Sequence, residues 1–216
     1  MEIRDLIVFL FRWAHLLFGI AWIGLLYYFN FVQGGYFKKA SPEALSDAKA
    51  KLAPSALWWF RWGAMMTFLT GVVLLVGLQH GSLINDYIVI GVVLGILMFL
   101  NVWLVIWPNQ KIALGLVEGG DGPQAAAKAL LASRTNTLFS APMAYCMLAS
   151  PHLGYQGDHL LVANGGGTGM WVALALVAAL EVNALAGKQG PMTTVQGVIV
   201  SSLVLTAVLV GLLVAL

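Results

Sequence analysis

The sequence predicts an all-α, polytopic membrane protein: a helical bundle of about six transmembrane helices with an interfacial helix between the first two. Three observations predict it. Of the 216 residues, 60% are hydrophobic and only 9% are charged, whereas soluble domains carry about 25% charged residues. Mean hydropathy is +0.88. Apolar runs of the roughly 20 residues that a spanning helix needs recur from one end of the chain to the other. The 24 glycines and 8 tryptophans suit closely packed membrane helices with interfacial aromatics. A net charge of +2 without a basic run argues against nucleic acid as a partner. Cys146 is the single cysteine, which excludes an internal disulfide, a CxxCH haem attachment and cysteine-based metal sites.

Taken in order, the first span covers residues 6–32. Its N-terminal flank has neither a basic n-region nor a small-residue cleavage site, so the helix is expected to be retained. The polar connection that follows holds Ser41-Pro42-Glu43, an N-cap with proline at the first helical position, and Pro54 is expected to end this short surface helix. The second span, residues 56–79, opens with Trp58, Trp59 and Trp62 as an aromatic belt. The third runs over 87–107 and is expected to stop at Pro108. A helical extension, a glycine turn near 119–122 and a returning helix lead into the fourth span, 130–150. There Pro142 predicts a kink, and the carbonyl it frees needs another partner. The fifth and sixth spans cover 169–186 and 195–216. All of residues 1–216 read as one integral membrane domain without a clear internal repeat. Lys38, Lys39, Lys49, Lys51, Lys111, Lys128 and Lys188 fall in the first, third and fifth connections. The positive-inside rule then puts both termini on the periplasmic side of a bacterial inner membrane.

Two constellations carry chemistry. On the first helix Arg12, His15, Gly19, Trp22 and Leu26 recur at spacings of three and four and so share one face. Ionisable groups at membrane depth usually face the protein interior. A haem b needs axial imidazoles, and His15 is one candidate, with His152 or His80 as the other. The plain alternative is a lone histidine bonding across helices. The second constellation is polar: Arg61, Asn101, Arg134, Asn136, Ser140, Glu181 and Asn183. Arg134 with Glu181 is the expected ion pair, and an interhelical clamp is the plainer reading beside a proton or substrate site. The histidines show no HxH or HxxxH pair for zinc, and GGG at 165–167 lacks the preceding strand of a phosphate loop.

Four segments resemble a known family: RWAHLLFGIAWIG at 12–24, WWFRWGAMMTFLTG at 58–71, NVWLVIWPNQKI at 101–112 and SRTNTLFSAPMAYCMLASPHLG at 133–154. They are similar to the membrane domain of the bacterial urate hydroxylase (membrane-type urate oxidase) family. In that family a multi-helix domain is followed by a periplasmic cytochrome c. The resemblance implies an oxidoreductase passing electrons outward to a cytochrome c, with His15 and His152 carried over as haem candidates and Arg12 and Gly19 beside them. The chain departs from the family pattern at Thr135, where a histidine is expected, and again within 179–183. Against the family pattern it is expected to be a shortened form, without two spans between the second and third helices and without the C-terminal cytochrome. A second function therefore stands beside the redox one: a non-catalytic accessory subunit of a larger, respiratory-type membrane complex. A transporter is disfavoured by the lack of repeat symmetry.

Overall fold

The computed structural model describes residues 3–80, 84–153 and 167–216, with only the backbone at 78–80. The described residues form helices and no strands. Six long helices carry them: α1 (Ile3–Phe37), α2 (Pro42–Gly77), α3 (Asp86–Ala113), α4 (Gly122–Leu153), α5 (Thr168–Ala186) and α6 (Val195–Ala215). Five of the six are long and apolar enough to cross a membrane. The exception is α4, although it has 32 residues. Ser133, Arg134, Thr135, Asn136, Thr137 and Ser140 lower its hydropathy, and all six are buried. Its polar residues are covered by protein, so hydropathy alone under-reads it.

Two boundaries differ from the sequence expectation for one physical reason. Pro54 does not end a surface helix: Pro42–Asp47, capped by Ser41 Oγ on the Ala44 N–H, runs on through a π-helical segment, Ala48–Leu52, into the rest of α2. Likewise Pro108 does not stop the third helix, which continues to Ala113 behind the π-helical segment Asn101–Ile106. A proline inside a helix clashes with the carbonyl four residues back and leaves it unbonded. In both places the wider i→i+5 turn lies just ahead of the ring and changes which carbonyl the proline meets. A third such segment, Tyr28–Gln33, interrupts α1 without a proline.

The remaining connections follow their residues. Between α3 and α4, Gly115, Gly119 and Gly120 all take positive φ (69°, 84° and 95°), a region where a Cβ is strained. The expected glycine turn is therefore present, and Asp121 Oδ1 caps α4 at the Gln124 N–H. After α5, Asn183 closes the turn by bonding both the N–H and the carbonyl of Lys188, and Thr194 caps α6.

The chain forms two compact units. One comprises Met1–Ser82 and Val102–Ser133, the other Leu83–Asn101 and Arg134–Leu216. In the first, α1 packs along α2. Trp22, Leu26, Leu57, Phe60 and Ala64 are buried there, and Phe29 meets Phe60 edge-on at 5.5 Å. The approach is close because α2 offers Gly63: a Cβ there would lie 3.2 Å from the Trp22 backbone N. In the second unit Tyr87, Ile90, Leu94, Met98, Phe139, Val177 and Leu209 form the core. A Cβ on Gly91 would lie 3.3 Å from Cys146 Cβ, and one on Gly169 would collide with the Leu212 carbonyl. The carbonyl freed by Pro142 is that of Leu138, and it accepts from Ser202 Oγ at 2.8 Å. The kink's missing partner is a serine on α6.

Candidate functional site

His15 lies within the first unit, on the α1 face that packs on α2. Trp22 and Leu26 of the expected stripe are fully buried. His15 and Gly19 are half-buried, whereas Arg12 is exposed and stands apart from the stripe. The imidazole Nδ1 lies 2.9 Å from the Thr67 carbonyl O and 3.2 Å from Thr70 Oγ1. A carbonyl only accepts, so Nδ1 carries the proton and donates. Thr70 spends its own hydrogen on a backbone carbonyl of its helix, Met66 at 2.7 Å. The tautomer that results leaves the Nε2 lone pair unengaged among the described residues. Gly71 is what lets the ring lie against α2, because a Cβ there would stand 3.0 Å from Cε1. The facing stripe of α2 is thus Gly63, Thr67 and Gly71, small residues four apart, a pattern that draws membrane helices together. Thr67 and Thr70 were not singled out from sequence. The four-residue spacing of small residues was the signal that could have found Thr67; Thr70 carries no such mark.

The polar set of the second unit converges in part. Asn101 Nδ2 lies 3.0 Å from Asn136 Oδ1 and 3.1 Å from Glu181 Oε2, and Asn136 Nδ2 donates to the Met98 carbonyl at 2.9 Å. Asn101, Asn136 and Glu181 therefore form one network joining α3, α4 and α5. Arg134 is not part of it. The expected Arg134–Glu181 ion pair does not form: Arg134 Nη1 reaches the Thr194 carbonyl at 3.4 Å, and its buried Nε has no partner. Asn101 on a neighbouring helix takes up the carboxylate instead. His152 is exposed in the last turn of α4, where it lines a shallow, mostly apolar groove with Tyr145, Leu148, Ala149 and Leu153. The His80 side chain and His159 lie outside the described residues.

Arg61 belongs to the first unit and joins neither constellation. Its guanidinium carbon lies over the Trp107 ring, 3.4 Å from the centroid, with Lys111 Nζ 5.6 Å from the same centroid. Arg61 is 9% exposed, and its Nε and Nη1 are buried without partners.

These features define a class: a polytopic, all-α membrane protein whose described residues include a hydrogen-bonded histidine between α1 and α2 and a buried amide–carboxyl network. The family model described as urate oxidase N-terminal matches residues 79–209, well over half of the chain, and the protein belongs to that family. No curated protein and no solved structure matches it. The matched stretch includes the Asn101–Asn136–Glu181 network and His152. It begins after His15, whose case rests on its own geometry.

Proposed function

We propose that this protein is a membrane-embedded redox module of urate-oxidase type, in which His15 is an axial ligand of a haem b and electrons pass to a periplasmic cytochrome c. One observation carries the reading. A metal-bound histidine characteristically donates its other ring N–H to a backbone carbonyl or carboxylate, which fixes the ring and raises its basicity. His15 does this through Nδ1 to Thr67 and keeps Nε2 for a ligand. His15 would hold such a group through Nε2, with Thr67 orienting the ring. A bound haem would supply reversible one-electron transfer within the membrane. The chain's own part is to orient the imidazole by Thr67, to seat it on Gly71 and to hold it at a depth that water reaches poorly. His152 is the other imidazole described in full, and it belongs in the same test.

The accessory reading has an observation of its own: the small-residue stripe of α2 accounts for the His15 bond as a pin between α1 and α2. The two readings separate on His15→Asn. An asparagine amide can donate to Thr67 as Nδ1 does, yet it offers no imidazole lone pair. The expected outcome is a b-type reduced-minus-oxidised spectrum in the purified wild type that is lost in His15→Asn while thermal stability is largely kept, with His152→Ala measured alongside. A wild type purified intact with no haem signal would sink the redox reading and leave the pin.

A further inference from the structure

Arg61 poses a problem of charge. Burying an unpaired guanidinium costs several kcal/mol unless an anion and further hydrogen bonds offset it. Among the described residues no carboxylate lies within salt-bridge distance of it; Asp47, earlier on α2, is paired with Lys51. Stacking on Trp107 gives some cation–π attraction but engages none of the N–H groups. The neighbouring groups are of the same kind. Trp103 and Lys111 stand one turn either side of Trp107 on α3. Trp103 packs edge-on against Trp62, the residue after Arg61, with centroids 5.9 Å apart. Its Nε1 is also buried without a partner. Lys111 adds a second positive charge near the Trp107 ring. Arginine, lysine and indole all donate and none accepts, so the cluster is complementary to an oxyanion.

We propose that Arg61, Trp103 and Lys111 form a binding site for the phosphate of an anionic phospholipid headgroup. The surroundings favour a lipid over a dissolved phosphate. Trp58, Trp59 and Trp62, on the same turns of α2 as Arg61, are 47%, 61% and 43% exposed, and tryptophan gathers at the headgroup level of a bilayer. Lys38 and Lys39 lie just before α2, Lys49 and Lys51 lie on its π-helical segment ahead of Arg61, and clustered cations beside a membrane helix attract anionic lipid. Arginine and phosphate pair through charge-assisted N–H bonds, and two of the Arg61 donors, Nε and Nη1, lack a partner. This site is independent of the haem reading.

The test is thermal unfolding of the delipidated full chain in phosphatidylcholine nanodiscs, with or without phosphatidylglycerol, and separately with inorganic phosphate. A ligand that binds only the folded state raises the melting temperature, here by about 3–6 °C with phosphatidylglycerol for a chain of this size. Trp103→Phe keeps an aromatic ring and removes the buried donor together with part of the indole's volume, so it should lose most of that shift, read against its own melting temperature in phosphatidylcholine. Arg61→Gln and Lys111→Gln should lose it as well. Because Trp103→Phe leaves every charge in place, its loss separates the site from attraction by the lysines of the first connection. Three outcomes would overturn the proposal: no phosphatidylglycerol shift in the wild type, an equal shift with inorganic phosphate alone, or a shift that Trp103→Phe retains. Loss of a haem signal from Arg61→Gln with no lipid-dependent shift in the wild type would instead assign the guanidinium to a cofactor carboxylate.

Discussion

The imidazole of His15 rests on α2 only where α2 lacks a side chain. At Gly71 a Cβ would stand 3.0 Å from Cε1 and 3.4 Å from Nδ1, so Gly71→Ala has to displace the ring or part the helices. Overpacking of this kind costs about 1–3 kcal/mol. The expected result is a lower melting temperature in detergent, together with loss of any haem signal if His15 is a ligand. Gly24 is the control: nothing lies within 4 Å of a Cβ built there, and alanine is the better helix former by roughly 0.8–1 kcal/mol. Gly24→Ala should therefore melt no lower than wild type. Gly169→Ala is the severe case. Its Cβ would collide with the Leu212 carbonyl, and backbone cannot swing aside as a side chain can. We expect it to melt well below Gly71→Ala; equal melting temperatures would mean that α5 and α6 separate easily.

At the scale of elements, a proline's cost is met by whatever neighbour can bond the carbonyl it strands. In α4 that neighbour is Ser202 of α6, whose hydroxyl reaches the Leu138 carbonyl at 2.8 Å. Removing it by Ser202→Ala should cost about 1 kcal/mol, the usual net worth of such a bond or somewhat more when the acceptor is buried. In a Pro142→Ala background the backbone N–H restored at that position can bond the Leu138 carbonyl itself, so the same serine change should cost much less. A double-mutant cycle on thermal unfolding measures this coupling, and additive effects would show that Ser202 does not serve the proline. The π-helical segments bear on the same point. Asn30 lies in one and Asn101 opens another, and both are buried. Asn30 donates to the Leu26 carbonyl and to Ser133 Oγ, at 2.9 and 2.8 Å. Asn101 holds Asn136 and Glu181. Asn101→Leu would leave the Glu181 carboxyl without its amide, and a marked fall in melting temperature is expected.

Across the whole molecule the informative quantity is where positive charge sits along the sequence. Seven lysines, Lys38, Lys39, Lys49, Lys51, Lys111, Lys128 and Lys188, fall in the first, third and fifth connections or on the helix ends that flank them, and charge close to the spans sets membrane orientation. We propose from this that both chain ends face the periplasm of a bacterial inner membrane. A phosphatase reporter, active only outside the cytoplasm, should be active when fused after Leu216 and silent when inserted at Gly119. The reverse pattern would invert the topology and place His15 in the cytoplasmic half of its helix, away from a periplasmic cytochrome c.

The sequence by itself determined the class and much of the element order. Long apolar runs cannot be buried in water-soluble form, and their backbone groups can be satisfied in lipid only as helices, so an all-α membrane protein followed from composition and run length. The glycine turn near Gly119, the cap at Ser41 and the need for a partner at Pro142 were local and legible. So was the stripe of His15, Gly19, Trp22 and Leu26, which follows from helical periodicity alone. Tertiary structure alone decided which partner each polar group took. Thr67 bonds His15, Ser202 meets Leu138, and Asn101 rather than Arg134 binds Glu181, because each choice depends on which residue of another helix lies at the same level. It also decided that α2 and α3 pass through Pro54 and Pro108, since a π-turn is a cooperative feature of a packed helix and leaves no mark in residue type. The unpaired Arg61 on Trp107 became visible for the same reason: sequence shows that a charge is present, and only packing shows that it is buried without its opposite.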